Sequence, residues 1–212
     1  MTNEQDDDFK SALEEAIASF GLDELSETQT AQLVKHYRML TAWNRRINLT
    51  RIVEARASAR LHYADSLFGG RFLGGARRVL DVGSGAGFPA IPLAVLRPDV
   101  EITALEANQK KSLFLNEAKD ALSLANFNVR TARLESFDST GYDTLTSRAL
   151  DRAEEVLPAT IASLTARQRF MLYCAPDLIQ RITERIDPLI KVETHPVPQS
   201  ETRLIALFSR EG

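Results

Sequence analysis

The chain has 212 residues, 44% of them hydrophobic and 26% charged, a balance that supplies a sizeable core and excludes fibrous, collagen-like and intrinsically disordered classes. That length fits one compact domain with at most a small extension, and with no apolar run near the roughly 20 residues of a membrane span and an acidic start (MTNEQDDDFK) in place of a signal peptide, a cytoplasmic protein is expected. The net charge of −3 argues against a nucleic-acid partner only if charge is evenly spread, and a single cysteine, Cys174, excludes an internal disulfide or a cysteine-rich metal site.

Phe9, Ala12, Leu13, Ala16, Ile17 and Phe20 recur at the helical period and predict a first amphipathic helix, closed by Gly21 at its left-handed end position. Ser26 and Gln29 have capping-box spacing, and Leu33, Tyr37 and Leu40 carry a second helix toward Trp43. Charge is segregated here. Residues 1–34 hold nine acids and one base, whereas residues 35–60 hold seven bases, Lys35, Arg38, Arg45, Arg46, Arg51, Arg56 and Arg60, against Glu54 alone. Such a cluster in an acidic chain points to a phosphate-bearing partner, with Arg45, Arg46 and Arg51 as the candidate contacts and Trp43 as core packing.

A third helix is predicted from about Glu54 to Phe68. His62 and Asp65 lie three apart on it and are expected to share a buried hydrogen bond that fixes the helical region; with no third ligand in view, no metal site is expected. His36 and His195 have no visible partner. Gly69, Gly70, Gly74 and Gly75 read as a flexible joint, dividing the chain into a helical extension over 1–75 and a second domain over 76–212.

Beyond the joint, short apolar runs alternate with helical stretches. Strands are predicted at Arg77 to Val82, Glu101 to Glu106, Phe127 to Ala132, Tyr142 to Ser147 and Gln168 to Cys174, a βαβ pattern that implies a parallel sheet. Leu189 to Thr194 and Thr202 to Phe208 are separated by HPVPQSE, too short for a helical crossover, so they should pair antiparallel.

The stretch VLDVGSGAGFPAIP (79–92) ends a strand at Asp81-Val82, places glycines at 83, 85 and 87, and opens an apolar helix near Phe88 or Pro89. Glycine permits positive φ and close backbone approach to a ligand, the physics of a nucleotide-cofactor loop. The dinucleotide fingerprint needs glycine at 88, which is Phe, and a P-loop needs G-K-[ST], which is absent. An acid before G-x-G-x-G, with Glu106 closing the next strand where a carboxylate can accept from both ribose hydroxyls, resembles motif I of Rossmann-like S-adenosylmethionine methyltransferases.

The resemblance extends further. WNRRINLT (43–50), HYADS (62–66), DVGSGAGFPAIPLA (81–94), KKSLFL (110–115) and TSRAL (146–150) stand in the order and spacing of the bacterial glucose-inhibited division protein B family. It implies a seven-stranded, mostly parallel class I methyltransferase sheet with an antiparallel last strand, and methyl transfer from S-adenosylmethionine to a guanosine N7 in small-subunit (16S) ribosomal RNA. It also implies cofactor contacts from Asp81, Gly83, Gly85, Phe88, Glu106, Leu134, Glu135 and Arg148. Family members carry Leu-Lys-Gly after the fifth strand, where this chain has Tyr173-Cys174-Ala175-Pro176. A lone pair on guanine N7 needs no general base, so approach and orientation should dominate. A monomer without metal is expected. A nicotinamide-dependent oxidoreductase and a non-catalytic RNA-binding or assembly factor remain as alternatives.

Overall fold

The structure, a computed structural model, describes residues 3–150 and 152–210. The chain opens with α1 (Asn3–Ser19) and α2 (Glu27–Asn44). The stripe from Phe9 to Phe20 is buried throughout, and Gly21 takes φ +61°. Ser26 and Gln29 form the reciprocal capping box that their spacing predicts. The predicted third helix runs as α3 (Ala55–Ser58), a π-helical turn (Ala59–Ala64) and α4 (Asp65–Gly69), with the Glu54 carboxylate accepting from the backbone N–H groups of Arg56 and Ala57.

Seven strands follow: β1 (Arg78–Val82), β2 (Glu101–Leu105), β3 (Phe127–Arg130), β4 (Thr144–Arg148), β5 (Arg169–Cys174), β6 (Ile190–Pro196) and β7 (Leu204–Arg210). They are interleaved with α5 (Ala90–Leu96), α6 (Gln109–Leu122), α7 (Ala153–Ala162) and α8 (Pro176–Thr183). The sheet order is β3-β2-β1-β4-β5-β7-β6, with β1 to β5 parallel and β7 antiparallel to both of its neighbours.

Strand alternation divides the core between two faces. Val79, Ile102, Ala104, Met171, Tyr173 and Ile205 join the apolar residues of α1, α2, α5 and α6 in one cluster; Leu80, Val82, Leu145, Leu172 and Phe208 meet α7 and α8 in the other. The helical region is therefore part of one face of the molecule. Polar side chains of α2 stitch it there: Gln29 Nε2 donates to Val95 O at 3.0 Å, Gln32 Nε2 to Leu122 O at 2.8 Å and Lys35 Nζ to Ala121 O at 2.6 Å, meeting carbonyls at the ends of α5 and α6.

The glycines at 69 and 70 serve close packing, contrary to the flexible joint expected of them. A Cβ on Gly69 would lie 1.7 Å from Tyr173 Oη, and one on Gly70 would lie 2.4 Å from Leu96 Cδ2. Their composition is that of a linker, but the missing side chains let α4 settle onto the sheet.

Candidate cofactor cavity and RNA-facing loop

The loop after β1 turns on three left-handed glycines, Gly83 (φ +72°), Gly85 (+54°) and Gly87 (+86°). A Cβ at Gly83 would meet Leu150 Cδ1 at 2.5 Å, and one at Gly87 would meet Ile91 Cδ1 at 2.5 Å. Gly85 faces open space apart from the Gly83 carbonyl at 3.8 Å. The loop is tied to the end of β2: Glu106 Oε2 accepts from Gly85 N and Oε1 from Asn108 N, each at 2.8 Å. Each oxygen keeps a second lone pair for a ligand.

Of the expected cofactor residues, Gly83, Glu106, Leu134 and Glu135, but not Asp81, Gly85, Phe88 or Arg148, line a cavity of about 330 Å³ across the carboxyl ends of β1, β2 and β4, where ligands bind in open α/β sheets. Gly83 and Glu106 line it together with Leu134 and Glu135, which stand on a short 3₁₀ turn after β3. Sequence reasoning missed Lys111 and Arg152, which also line it.

Asp81 lies beneath the loop, fully buried, on the face shared with α5, and neither carboxylate oxygen has a hydrogen-bond partner. Burial pushes its carboxyl up to about 8. Phe88 is also buried, with its ring stacked on His62 at 4.6 Å and edge-on to Tyr63 at 5.0 Å and His36 at 5.3 Å.

Arg148 ends β4 with the same parity as Thr144 and Thr146, on the face of the helical region. Its Nη2 donates to Leu61 O and His62 Nδ1 at 2.8 Å, and its Nη1 to His62 O at 3.2 Å and Ser66 Oγ at 3.4 Å. Only the Nε–H remains of its five donors. Because arginine can only donate, His62 Nδ1 is an acceptor and its Nε2–H donates to Thr50 Oγ1 at 2.8 Å. Burial first, then the Arg148 charge, lowers the His62 pKa to about 3.

His62 and Asp65 do not bond each other as expected. Asp65 Oδ2 instead accepts from Arg203 Nη1 at 2.7 Å, with Arg148 Nη1 3.7 Å away. Both side chains anchor the helical region, each through an arginine of the sheet half. His36 does have a partner, the Tyr63 hydroxyl at 2.9 Å from its Nδ1, within the aromatic cluster of Phe9, Tyr37, Tyr63, Phe88 and Phe114.

Arg45, Arg46 and Arg51 are exposed on the loop that follows α2. The loop is clasped by Asn44, whose Oδ1 accepts from Leu49 N at 2.8 Å and Thr50 N at 2.9 Å while its Nδ2 donates to Thr50 O at 2.9 Å. Trp43 packs edge-on against Phe114 at 5.7 Å, as core packing predicts. Elsewhere in the basic segment, Arg38 approaches Asp6 at 3.7 Å and Arg56 pairs with Glu15 at 2.5 Å. Among the described residues, the three loop arginines make no ion pair.

The model of the GidB family, rRNA small subunit methyltransferase G, matches residues 29–195. A ribosomal RNA small subunit methyltransferase G of Solibacter usitatus is 38% identical over 166 residues, 78% of this chain and 79% of that protein. The chain belongs to the GidB family. A second GidB relative of the same name, from Neisseria meningitidis serogroup C, is 43% identical over 140 residues, 66% of this chain and 67% of that one. Among solved structures, a putative O-methyltransferase from Klebsiella pneumoniae aligns with a TM-score of 0.61 at 14% identity, covering 90% of this chain and 93% of its own. An S-adenosylmethionine-dependent O-methyltransferase from Thermotoga maritima aligns with a TM-score of 0.56 at 16% identity, over 82% of this chain and 72% of its own. These two likenesses are of fold, and the fold of this GidB chain is that of class I S-adenosylmethionine methyltransferases.

The residues present fit that cofactor. A cradle of left-handed glycines admits close backbone approach, a carboxylate with spare lone pairs lines the cavity, and the buried acid Asp81 stands at the end of β1 before the loop, where a cationic ligand favours release of its proton. No group of three or more His, Cys, Asp and Glu side chains able to hold a metal occurs among the described residues. No helix among them is long and apolar enough to cross a membrane.

Proposed function

We propose that the protein transfers the methyl group of S-adenosylmethionine to N7 of a guanosine in small-subunit ribosomal RNA, acting as a cytoplasmic monomer. The observation that carries this is the cavity between the glycine loop and Glu106 in a chain of the GidB family. Residues 76–212 form the methyltransferase part, and residues 1–75 the helical extension that presents the RNA-facing loop.

When bound, S-adenosylmethionine supplies an electrophilic methyl group on a sulfonium. Gly83 and Gly85 hold it by backbone approach, Glu106 accepts from the ribose, and Leu134 and Glu135 flank the adenine. Asp81 balances positive charge from below the loop. Phe88 and Arg148 act by holding the helical region against the loop, and Arg148 offers the ligand only its Nε–H. Because N7 carries a lone pair and no proton, the protein's task is to bring base and methyl group into line, an orientation effect worth up to roughly 7 to 11 kcal/mol. Arg45, Arg46 and Arg51 fix the RNA through phosphates.

The decisive experiment is incubation with radiolabelled S-adenosylmethionine and small ribosomal subunits whose target base is unmodified, followed by nucleoside analysis. The label is expected in 7-methylguanosine. Label in another nucleoside overturns the N7 assignment, and no label with cofactor binding intact makes the protein a binding factor. Calorimetric preference for NAD would overturn the reading altogether.

A further inference from the structure

A second cavity, of about 500 Å³, lies on the other side of Ala149 and Leu150, which it shares with the cofactor cavity as a common wall. Its sides are largely apolar, including Ile52, Leu61, Leu172, Val197 and Leu204; the charged residues in its lining are the buried cluster of Asp65, Arg148 and Arg203, which forms a polar end, and the exposed pair of Asp177 and Arg181. Apolar walls with a few convergent polar groups are the makeup of a site for a flat, partly polar ligand.

The polar end is incomplete by itself. Asp65 is 2% exposed, and its Oδ2 accepts from Arg203 Nη1, yet its Oδ1 has no partner. Arg203 Nη2 is likewise buried without an acceptor. Buried polar atoms are nearly always satisfied, so an unpaired acceptor and an unpaired donor on bonded partners beside a cavity mark where a ligand belongs. Both atoms are shielded from solvent, so a ligand reaches them by displacing apolar side chains of the wall.

The pair is complementary to one edge of one base. The Watson–Crick edge of guanine presents N1–H and N2–H donors beside the O6 acceptor. A carboxylate takes both donors, on Oδ1 and on the remaining lone pair of Oδ2, while a guanidinium N–H donates to O6. Adenine reverses this order. With that edge held at the polar end, N7 stands beside O6 on the adjoining edge of the base, clear of the Asp65 carboxylate, where it can face the wall shared with the cofactor.

We propose that this second cavity is the acceptor subsite and that Asp65 and Arg203 select guanine by its Watson–Crick edge. The assignment rests on the guanine-N7 methylation argued above and adds to it the residues that choose the base. The target base must then be unpaired on that edge when it enters, as a flipped or loop nucleotide is.

Asp65→Asn replaces an acceptor with a donor at nearly constant shape. It is expected to lower kcat/KM for small subunits at least about 100-fold, with the calorimetric affinity for S-adenosylmethionine changed less than about twofold. Methylation within about threefold of the parent overturns the proposal, as does a parallel loss of cofactor affinity in a folded variant. Because Asp65 also pairs with two arginines, a second measurement uses the unsubstituted protein. Guanosine should inhibit RNA methylation at concentrations at least about fivefold below inosine, which lacks the 2-amino group, and below adenosine. Equal potency of the three nucleosides, or no inhibition by any, overturns it. If the unsubstituted protein binds cofactor but labels no RNA, it is the methyltransferase reading that fails.

Discussion

Gly83 does two things with one missing side chain: it adopts a left-handed φ of +72° and it leaves room for Leu150 Cδ1, 2.5 Å from where a Cβ would stand. Gly83→Val should cost about 1 to 2 kcal/mol in stability for the backbone conformation, a loss the fold tolerates because the atom it meets is the end of a flexible side chain. Cofactor affinity should fall much further, by more than about tenfold, since the branch blocks the approach of the ligand to the loop. Calorimetry alongside denaturant unfolding separates the two, and a folded variant that binds S-adenosylmethionine normally would remove Gly83 from the site.

Asp81 makes the unliganded protein sensitive to pH. Its carboxyl sits at about 8 in the folded state against an ordinary value of 3.8, so between those limits the native state keeps a proton that the unfolded chain has released. The stability tied to this group is fully present below about pH 4 and is lost as pH rises toward 8, with a slope of up to about 1.4 kcal/mol per pH unit. His36 and His62, both lowered to about 3 with burial the first cause, act oppositely: their contribution is present above the ordinary histidine value of 6.5 and is lost as pH falls toward 3. Asp81→Asn keeps the histidines and removes the acid. The difference between its stability profile and the parent's should therefore grow steadily from pH 4 to pH 8, and parallel profiles would show that the acid is ionised in the folded protein.

At the level of elements, the first half of the loop between α2 and α3 is clasped by Asn44, and the second half is tied down by Tyr37 and Ser58, which donate to Val53 O and Ile52 O. Asn44 makes all three clasping bonds, and Thr50 passes the order on to His62 and through it to Arg148 at the end of β4. Asn44→Ala should destabilise the protein by about 1 to 3 kcal/mol, the usual cost of leaving part-buried backbone groups unsatisfied. It should also weaken RNA binding, because Arg45, Arg46 and Arg51 lose their fixed positions, and leave S-adenosylmethionine affinity unchanged. RNA affinity equal to the parent's would mean that a mobile loop serves as well as an ordered one.

The elements themselves were largely legible in the sequence because the signals that define them are local. The Ser26–Gln29 cap, the Phe9 to Phe20 stripe, the short apolar runs of β1 and β2 and the glycine spacing each span a few residues, and each appears as read. What could not be read was the set of pairs that close over distance. His62 meets Arg148 across 86 positions and Asp65 meets Arg203 across 138, and no spacing rule links residues so far apart. The π-helical turn that carries His62 has no composition of its own, so an ordinary helix was the natural expectation. For the same reason Gly69 read as a joint: Tyr173, which fills its missing side chain, lies more than 100 residues away.

For the whole molecule, charge is a matter of place. The total of −3 conceals an exposed arginine loop, and the ion pairs of Arg38 with Asp6 and of Arg56 with Glu15 show how the acidic first helix offsets two of the other bases of the segment. RNA binding should accordingly depend on salt through few residues. Arg45→Ala with Arg46→Ala should make the slope of log affinity against log salt shallower by about 1.5, two phosphate contacts' worth, with cofactor affinity untouched. An unchanged slope would return the loop to the status of a solvated face.

The order of the sheet has a consequence for how the protein comes into being. β7 follows β6 in the chain yet lies between β5 and β6, and among the described residues β6 pairs with no other strand. During synthesis, β1 to β5 can assemble in turn as they emerge, but β6 must wait outside the sheet until β7 has been made and has slotted into place. Arg203, one residue before β7, meets Asp65 only at that moment. The cavity proposed to choose the base is therefore among the last parts of the molecule to form, and a nascent chain that already has its glycine loop still lacks the means to select what it methylates.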